Sequence, residues 1–149
     1  MNKPNVKVKK LREGAIIPTY GSSYAAGADL YACIDTDQAV IRPHETKLIP
    51  PGISLEIPEG YGGFIYARSG IATKRGLAPA NKVGVVDSDY RGEVMVALHN
   101  HSETDASIDN GERVAQLVIA PFLAVNFTEA DELTDTERGE GGFGSTGKK

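Results

Sequence analysis

Apolar and polar residues alternate along this chain in short runs. In "NVKVKKL" the apolar positions are Val6 and Val8, with Leu11 continuing the face imperfectly. In "ISLEI" they are Ile53, Leu55 and Ile57, and in "EVMVALHN" they are Val94, Val96 and Leu98; "GFIYA" reads the same way. "RVAQLVIAPFLAVNF" is longer and mostly apolar, and Pro121 breaks it. A period of two sends alternate side chains to opposite faces of a strand, so each run predicts a β-strand with one face in a core. No long stretch carries the period of about 3.6 residues that marks a helix. The one predicted helix is short, over "SGIATKRG", with Ser69 as its cap and Gly76 as its stop. Glycines and prolines, 17 and 8 in number, lie between the runs as turn signals. Short strands between regular turns predict an all-β fold, here a distorted jelly-roll barrel with one short helix. From about Glu129 the chain becomes polar and then glycine-rich. It reads there as an extended C-terminal arm, residues 129–149, outside a core of residues 1–128.

Composition narrows the function. A chain of 149 residues makes one domain. It needs no staples, since a chain of this size buries about 70% of its unfolded surface. Its single cysteine, Cys33, excludes an internal disulfide and fits a reducing, cytoplasmic compartment. The opening "MNKPNVKVKK" is basic with no apolar run behind it, so neither a secretory signal nor a membrane span is expected. A net charge of −4 gives no general attraction to nucleic acid or to an anionic membrane. An anionic ligand would need positive charge gathered locally.

Four stretches offer that kind of chemistry. In "NKVGVVDSDYRGEVMV" two apolar strands flank a polar turn, which predicts a β-hairpin. Counting across the turn puts Asp87 opposite Gly92, Val85 opposite Val94 and Gly84 opposite Met95. Gly84 lets a ligand approach the backbone closely, and main-chain groups there could read a flat heterocycle. Asp87 ends an apolar strand, aimed and partly dry; taken alone it is also an ordinary turn aspartate, and Tyr90 an ordinary surface ring. In "ARSGIA", Arg68, Ser69 and Gly70 stand at the start of the helix, where free N–H groups, a hydroxyl and a guanidinium suit phosphate or, more simply, an N-cap. Gln116 within "ERVAQLVIA" and Asp29 within "AAGADLYA" are polar groups in apolar settings and need partners. In "RGEGGFGSTGKK", glycine-rich backbone can wrap an anion, Arg138 can clamp phosphate and Phe143 can stack on a base. A glycine-rich terminus is also the composition of a disordered tail.

Taken in order, "AGADLYA", "ARSGIA", "NKVGVVDSDYRGEV", "GERVAQL" and "RGEGGFGSTG" resemble the five motifs of the trimeric dUTPase family, and they span Gly27 to Gly147. Any one of them is unspecific; the ordered set is not. The resemblance implies a β jelly roll, a homotrimer whose sites draw on three chains, and hydrolysis of dUTP to dUMP and pyrophosphate with Mg²⁺. Asp87 matches the aspartate that deprotonates the attacking water. Arg68, Ser69, Gly70 and Gln116 match phosphate contacts, and Arg138 the γ-phosphate clamp. Gly144, Ser145 and Thr146 finish the cradle. Mg²⁺ is implied to be held mainly by phosphate oxygens and water, with Asp29 its partner through water. Uracil is implied to sit against Gly84, Val85 and Val86 with the Asn81 amide beside it and Met95 closing the slot. Tyr90 would lie under the sugar, and Phe143 would stack on the base as the arm closes. Ala67 and Ala28 stand where the family often has proline and a larger residue.

Two rival readings share the fold. The related dCTP deaminases carry a catalytic glutamate ten residues beyond the hairpin aspartate, where this chain has Ala97. A nucleotide-sensing module that grips a regulatory protein partner needs no water-activating base, so Asp87, Arg138 and Phe143 argue for an enzyme. They leave a second role open.

Overall fold

A computed structural model of the chain describes residues 3–145 and 147. Twelve strands and one helix follow in the order β1 Lys7–Lys10, β2 Thr19–Tyr20, β3 Ala28–Tyr31, β4 Gln38–Ile41, β5 Thr46–Ile49, β6 Ile53–Glu56, β7 Tyr61–Tyr66, α1 Ser69–Arg75, β8 Leu77–Pro79, β9 Gly84–Val86, β10 Val96–Asn100, β11 Ala106–Asp109 and β12 Arg113–Pro121. The fold is all-β, as the alternation predicts. Four sheets form among the described residues: a five-stranded sheet in the order β2-β3-β12-β7-β9, a three-stranded sheet β5-β10-β8, and the pairs β1-β6 and β4-β11. They wrap one apolar core and do not join into one closed ladder.

The alternation finds that core. Ile53, Leu55 and Ile57 are buried, as are Val94, Val96 and Leu98. Val6 and Val8 pack at its margin. Leu11 does not: it is exposed, because the chain has left β1 and turned into a loop. The long apolar run is β12, paired on both edges with β3 and β7, and Pro121 is its last residue. Its register against β3 shifts between Arg113 and Ala115. This bulge lets Val114 and Ala115 both be buried in succession. It also brings Gln116 directly opposite Asp29.

The helix covers the predicted residues with its start displaced. Arg68, extended at φ −91° and ψ 132°, occupies the N-cap with no side-chain cap, and Ser69 is the first helical residue instead of the cap. The Arg68 side chain turns instead to Asp29. Gly76 stops the helix as expected, at φ 65°, with its N–H donating to the Ile71 carbonyl.

The predicted hairpin does not form as a ladder. β9 pairs with β7, Val86 opposite Gly63 and Gly84 opposite Ile65. Val94 instead donates its N–H to the Ile53 carbonyl, and β10 continues into the three-stranded sheet. Val94 and Met95 therefore face β9 without laddering to it. On the β7 side, a Cβ on Gly63 would come within 2.9 Å of Ile57 Cδ1 and 3.3 Å of Val86 Cβ, so the glycine lets β9 pack closely there.

Two polar contacts tie distant segments. Asn100 is fully buried and fully satisfied. Its Nδ2 donates to the Ile41 and Thr104 carbonyls at 2.9 and 2.8 Å, and its Oδ1 accepts from the Ser102 N–H at 2.9 Å and hydroxyl at 2.7 Å. Arg12 grips Glu93 with two nitrogens, at 2.5 and 3.1 Å, across 81 residues of sequence. That hydrogen-bonded guanidinium holds the Glu93 carboxyl below the ordinary glutamate range. A carboxyl lowered in the folded state stabilises the fold at neutral pH, and that contribution is lost as pH falls through its folded value.

Asn100→Ala strands buried carbonyls and should cost about 3 kcal/mol in urea unfolding. A loss below about 0.5 kcal/mol would mean that water replaces the amide. Wild type should melt higher than Glu93→Gln at neutral pH, and the gap should close as acid protonates Glu93. A gap that does not change with pH would show that the pair contributes nothing through its charge.

Candidate functional site

Two clusters of candidate residues form within the chain, and the arm stands apart from both. The first is a slot of about 250 Å³ between β9 and the segment that leads into β10. Its walls include Asn81, Gly84, Val85, Val86, Tyr90 and Met95, with Asp87 at its end. β9 ladders on one edge only, so the main-chain groups of its other edge face the slot. Gly84 is buried beneath Ile65, and its missing side chain leaves room for the Asn81 amide, whose Nδ2 would lie 3.4 Å from a Cβ placed there. Val85 points outward, 64% exposed, while Val86 is in the core.

Asp87 is exposed in the single chain, not partly dry as the sequence suggests. The turn that follows it closes with the Tyr90 N–H donating to the Asp87 carbonyl at 3.1 Å. The Tyr90 ring folds back over Gly92, and its hydroxyl donates to the Glu93 carbonyl at 3.0 Å. Slot, carboxylate and ring thus occupy one short stretch of chain.

The second cluster lies on the outer face of β3 and β12. Arg68 Nε donates to Asp29 Oδ1 at 2.8 Å, and Arg113 Nη1 reaches Asp29 Oδ2 at 3.5 Å. The Asp29 side chain is only 13% exposed, so its charge needs these partners. Gln116, opposite Asp29, donates to the Ala67 carbonyl at 2.8 Å and so holds the segment entering α1. A Cβ on Gly27 would collide with the Gln116 amide, which explains the glycine beside Asp29. Ser69 and Gly70 are exposed at the start of α1, and a Cβ on Gly70 would meet nothing within 4 Å. The cluster offers cationic nitrogens, a hydroxyl and open backbone, which suits a phosphate group.

In a single chain the slot and the cluster are separate. Only β7 lies between β12, which carries Arg113 and Gln116, and β9, but no residue of the cluster lines the slot. Beyond Phe122, whose N–H donates to the Gly60 carbonyl, no hydrogen bond joins the described arm residues to the core. Within the arm, Arg138 Nε donates to the Gly141 carbonyl at 2.7 Å. Phe143 stands fully exposed at φ 50°, followed by Gly144 at φ 90°. Ser145 donates its N–H to the Gly142 carbonyl. Thr146 lies outside the described residues.

A larger cavity, about 630 Å³, opens among Val6, Val8, Ile17, Tyr20 and Leu117. It holds none of the candidate residues and one charged side chain, Lys3, so the chemistry belongs to the smaller slot. Sequence reasoning missed Arg113 as a partner of Asp29. Simple alternation puts Arg113 and Gln116 on opposite faces of β12, and only the bulge returns both to the Asp29 side. It also missed Arg12 and Glu93, whose pairing leaves no local signal.

No group of three or more histidine, cysteine, aspartate or glutamate side chains able to hold a metal forms among the described residues, and no described helix is long and apolar enough to cross a membrane. The family model described as dUTPase matches residues 13–147. The deoxyuridine 5'-triphosphate nucleotidohydrolase of Hydrogenobaculum sp. is 52% identical over 142 residues, covering 95% of this chain and 97% of the relative. That of Nautilia profundicola is 50% identical over 143 residues, covering 96% and 99%. Among solved structures, the Staphylococcus bacteriophage 80alpha dUTPase with dUPNHPP superposes with a TM-score of 0.87 at 29% identity, over 96% of this chain and 98% of the phage chain. A one-sided strand edge beside a carboxylate, an arginine-bound aspartate and a match over nearly the whole length lead to one conclusion: the chain belongs to the dUTPase family.

Proposed function

We propose that Asp87 is the base with which this dUTP diphosphatase draws a proton from water, and that the water attacks the α-phosphorus to yield dUMP and pyrophosphate. One observation carries the reading: an exposed carboxylate ends the one strand whose free edge lines a slot of about 250 Å³. General-base help of this kind is worth roughly 10²–10⁴-fold. Positioning and charge neutralisation on the triphosphate supply the rest.

Uracil lies in the slot against main-chain groups of Gly84, Val85 and Val86, with the Asn81 amide at its edge and Met95 opposite. Backbone donors and acceptors at fixed spacing reject cytosine, because its exocyclic amine meets a donor. Discrimination that leaves a buried polar group unpaired reaches roughly 10⁴–10⁵-fold. The narrow walls reject the methyl group of thymine. The Tyr90 ring, folded over Gly92, lies against the sugar and leaves no space for a 2′-hydroxyl.

The phosphates meet the second cluster. Arg68 spends its Nε on Asp29 and keeps its terminal nitrogens for phosphate oxygens, with Ser69, Gly70 and Gln116 beside them. Mg²⁺ fits this donor set as an ion held mainly by the triphosphate and water, a common arrangement for an ion that keeps its hydration shell. Asp29, engaged at 2.8 Å on one oxygen and only at 3.5 Å on the other, retains the capacity to accept from a metal-bound water. When bound, the ion neutralises the triphosphate.

The reading places the site between copies of the chain. Within one chain no residue of the phosphate cluster lines the slot. The described residues after Pro121 form no strand and expose Leu123, Val125 and Phe127, as expected of a segment that a neighbour covers. A homotrimer with shared sites accounts for both facts. The arm, residues 129–149, then closes over a neighbour's slot, Phe143 stacking on uracil and Arg138, Gly144, Ser145 and Thr146 wrapping the phosphates. The deaminase alternative finds no acid: Ala97 lies in β10 opposite Leu48.

Asp87→Asn keeps the shape of the slot and removes the base. Its kcat should fall by roughly 10²–10⁴-fold with KM for dUTP little changed, measured by pyrophosphate release. Turnover at the wild-type rate would remove Asp87 from the mechanism.

A further inference from the structure

The turn that carries Asp87 and Tyr90 has no ladder to hold it, so something else must fix its position. Three contacts shape it from within. The Tyr90 hydroxyl donates to the Glu93 carbonyl at 3.0 Å. The Tyr90 ring rests on Gly92, where an added Cβ would come within 2.8 Å of the ring carbon Cε2. Arg91 Nη1 donates to the Ser88 carbonyl at 2.6 Å. All three are internal to the turn; they shape it without anchoring it to the body of the protein.

Backbone fixes the two ends of the turn, β9 laddered to β7 and the Val94 N–H bonded to the Ile53 carbonyl, and the Glu93 side chain adds the side-chain anchor. Its carboxylate accepts both hydrogen bonds of the Arg12 fork, and both side chains are about two-thirds or more buried, at 32% and 26% exposure. Arg12 is itself fixed. Leu11, its neighbour, donates to the Gly52 carbonyl at 2.8 Å. Gly52 stands at φ 73°, and a Cβ there would lie 3.2 Å from the Arg12 Cβ and Cδ, so the arginine stem crosses a bare stretch of backbone. An unbroken series of contacts therefore runs from Gly52 through Arg12 and Glu93 to the hydroxyl and ring of Tyr90. A two-pronged arginine–carboxylate contact fixes direction as well as distance, which a lysine cannot do.

We propose that Arg12 and Glu93 are positioning residues that hold the Tyr90 ring at the height where it excludes a 2′-hydroxyl, and so set the preference of the site for deoxyribose over ribose. The proposal rests on the reading of Tyr90 as the residue against the sugar. Neither Arg12 nor the Glu93 carboxylate need touch substrate: they act through the Glu93 carbonyl and the turn it belongs to. Exclusion of one hydroxyl depends on wall position, and small displacements of a positioned group are felt strongly. An ion pair that merely closed the fold would raise stability and leave substrate preference alone.

The test is the ratio of kcat/KM for dUTP to that for UTP in wild type, Arg12→Met, Arg12→Lys, Glu93→Gln and Tyr90→Ala, with circular dichroism to establish that each is folded. Arg12→Met and Glu93→Gln should each lower the ratio by roughly tenfold, with KM for dUTP raised and kcat changed by less than about threefold. Arg12→Lys should recover part of the ratio. Glu93→Gln preserves shape and decides the matter by itself should Arg12→Met fail to fold. If Tyr90→Ala loses discrimination while the folded pair variants keep the wild-type ratio, the positioning role is overturned and the sugar reading stands. If Tyr90→Ala keeps the wild-type ratio, the sugar reading fails and the positioning role with it.

Discussion

Everything at the slot follows from a strand that pairs on one side only. Gly84–Val86 ladders to Tyr61–Tyr66, and the chain after the turn crosses to a different sheet. The other edge of the short strand is left with main-chain donors and acceptors and no strand to satisfy them. Exposed edges are ordinarily a hazard that proteins cover or blunt. Here the edge is short, and it is walled by Val94, Met95 and Tyr90, which leaves a crevice of base size in place of a docking strip. Glycine does much of this: Gly63 lets the strand pack inward, Gly84 leaves room for Ile65 and the Asn81 amide, and Gly92 gives the tyrosine ring a place to lie. The same geometry puts the Asp87 carboxylate at the crevice mouth.

A second constraint governs the phosphate side. A carboxylate as enclosed as that of Asp29 must be matched, and Arg68 and Arg113 match it from two different segments. The bulge in β12 is what makes this possible, since it turns Arg113 and Gln116 to the same face. The cluster is consequently built before any ligand arrives, as a preorganised site should be. None of its residues lines the slot within one chain, which is the reason to read the active site as shared between subunits.

The strands were legible because burial on one face imposes alternation, and Ile53, Leu55 and Ile57 are all buried, although Ser54 between the first two is buried as well. Gly76 was legible as a helix stop because only a residue at ease with positive φ closes a helix in that way. The fold class and the five motifs were therefore readable along the chain. What could not be read was pairing. Alternation specifies a face but not a partner, so the segment after the turn looked like the second half of a hairpin when its partners are β5 and β8. A bulge resets the count without announcing itself, which hid Arg113. The link between Arg12 and Glu93 joins residues that share no local pattern at all. Asp87 reads from the sequence as partly dry, yet it is exposed, because the missing ladder leaves one side of the turn open to solvent.

The most direct measurement is a crystal structure of the assembled protein with a non-hydrolysable dUTP analogue and Mg²⁺. The expected result has uracil hydrogen-bonded to the free edge of Gly84–Val86, and a water held by Asp87 in line with the α-phosphorus. Uracil bound elsewhere, or an Asp87 carboxylate far from the α-phosphate with no ordered water between them, would contradict it.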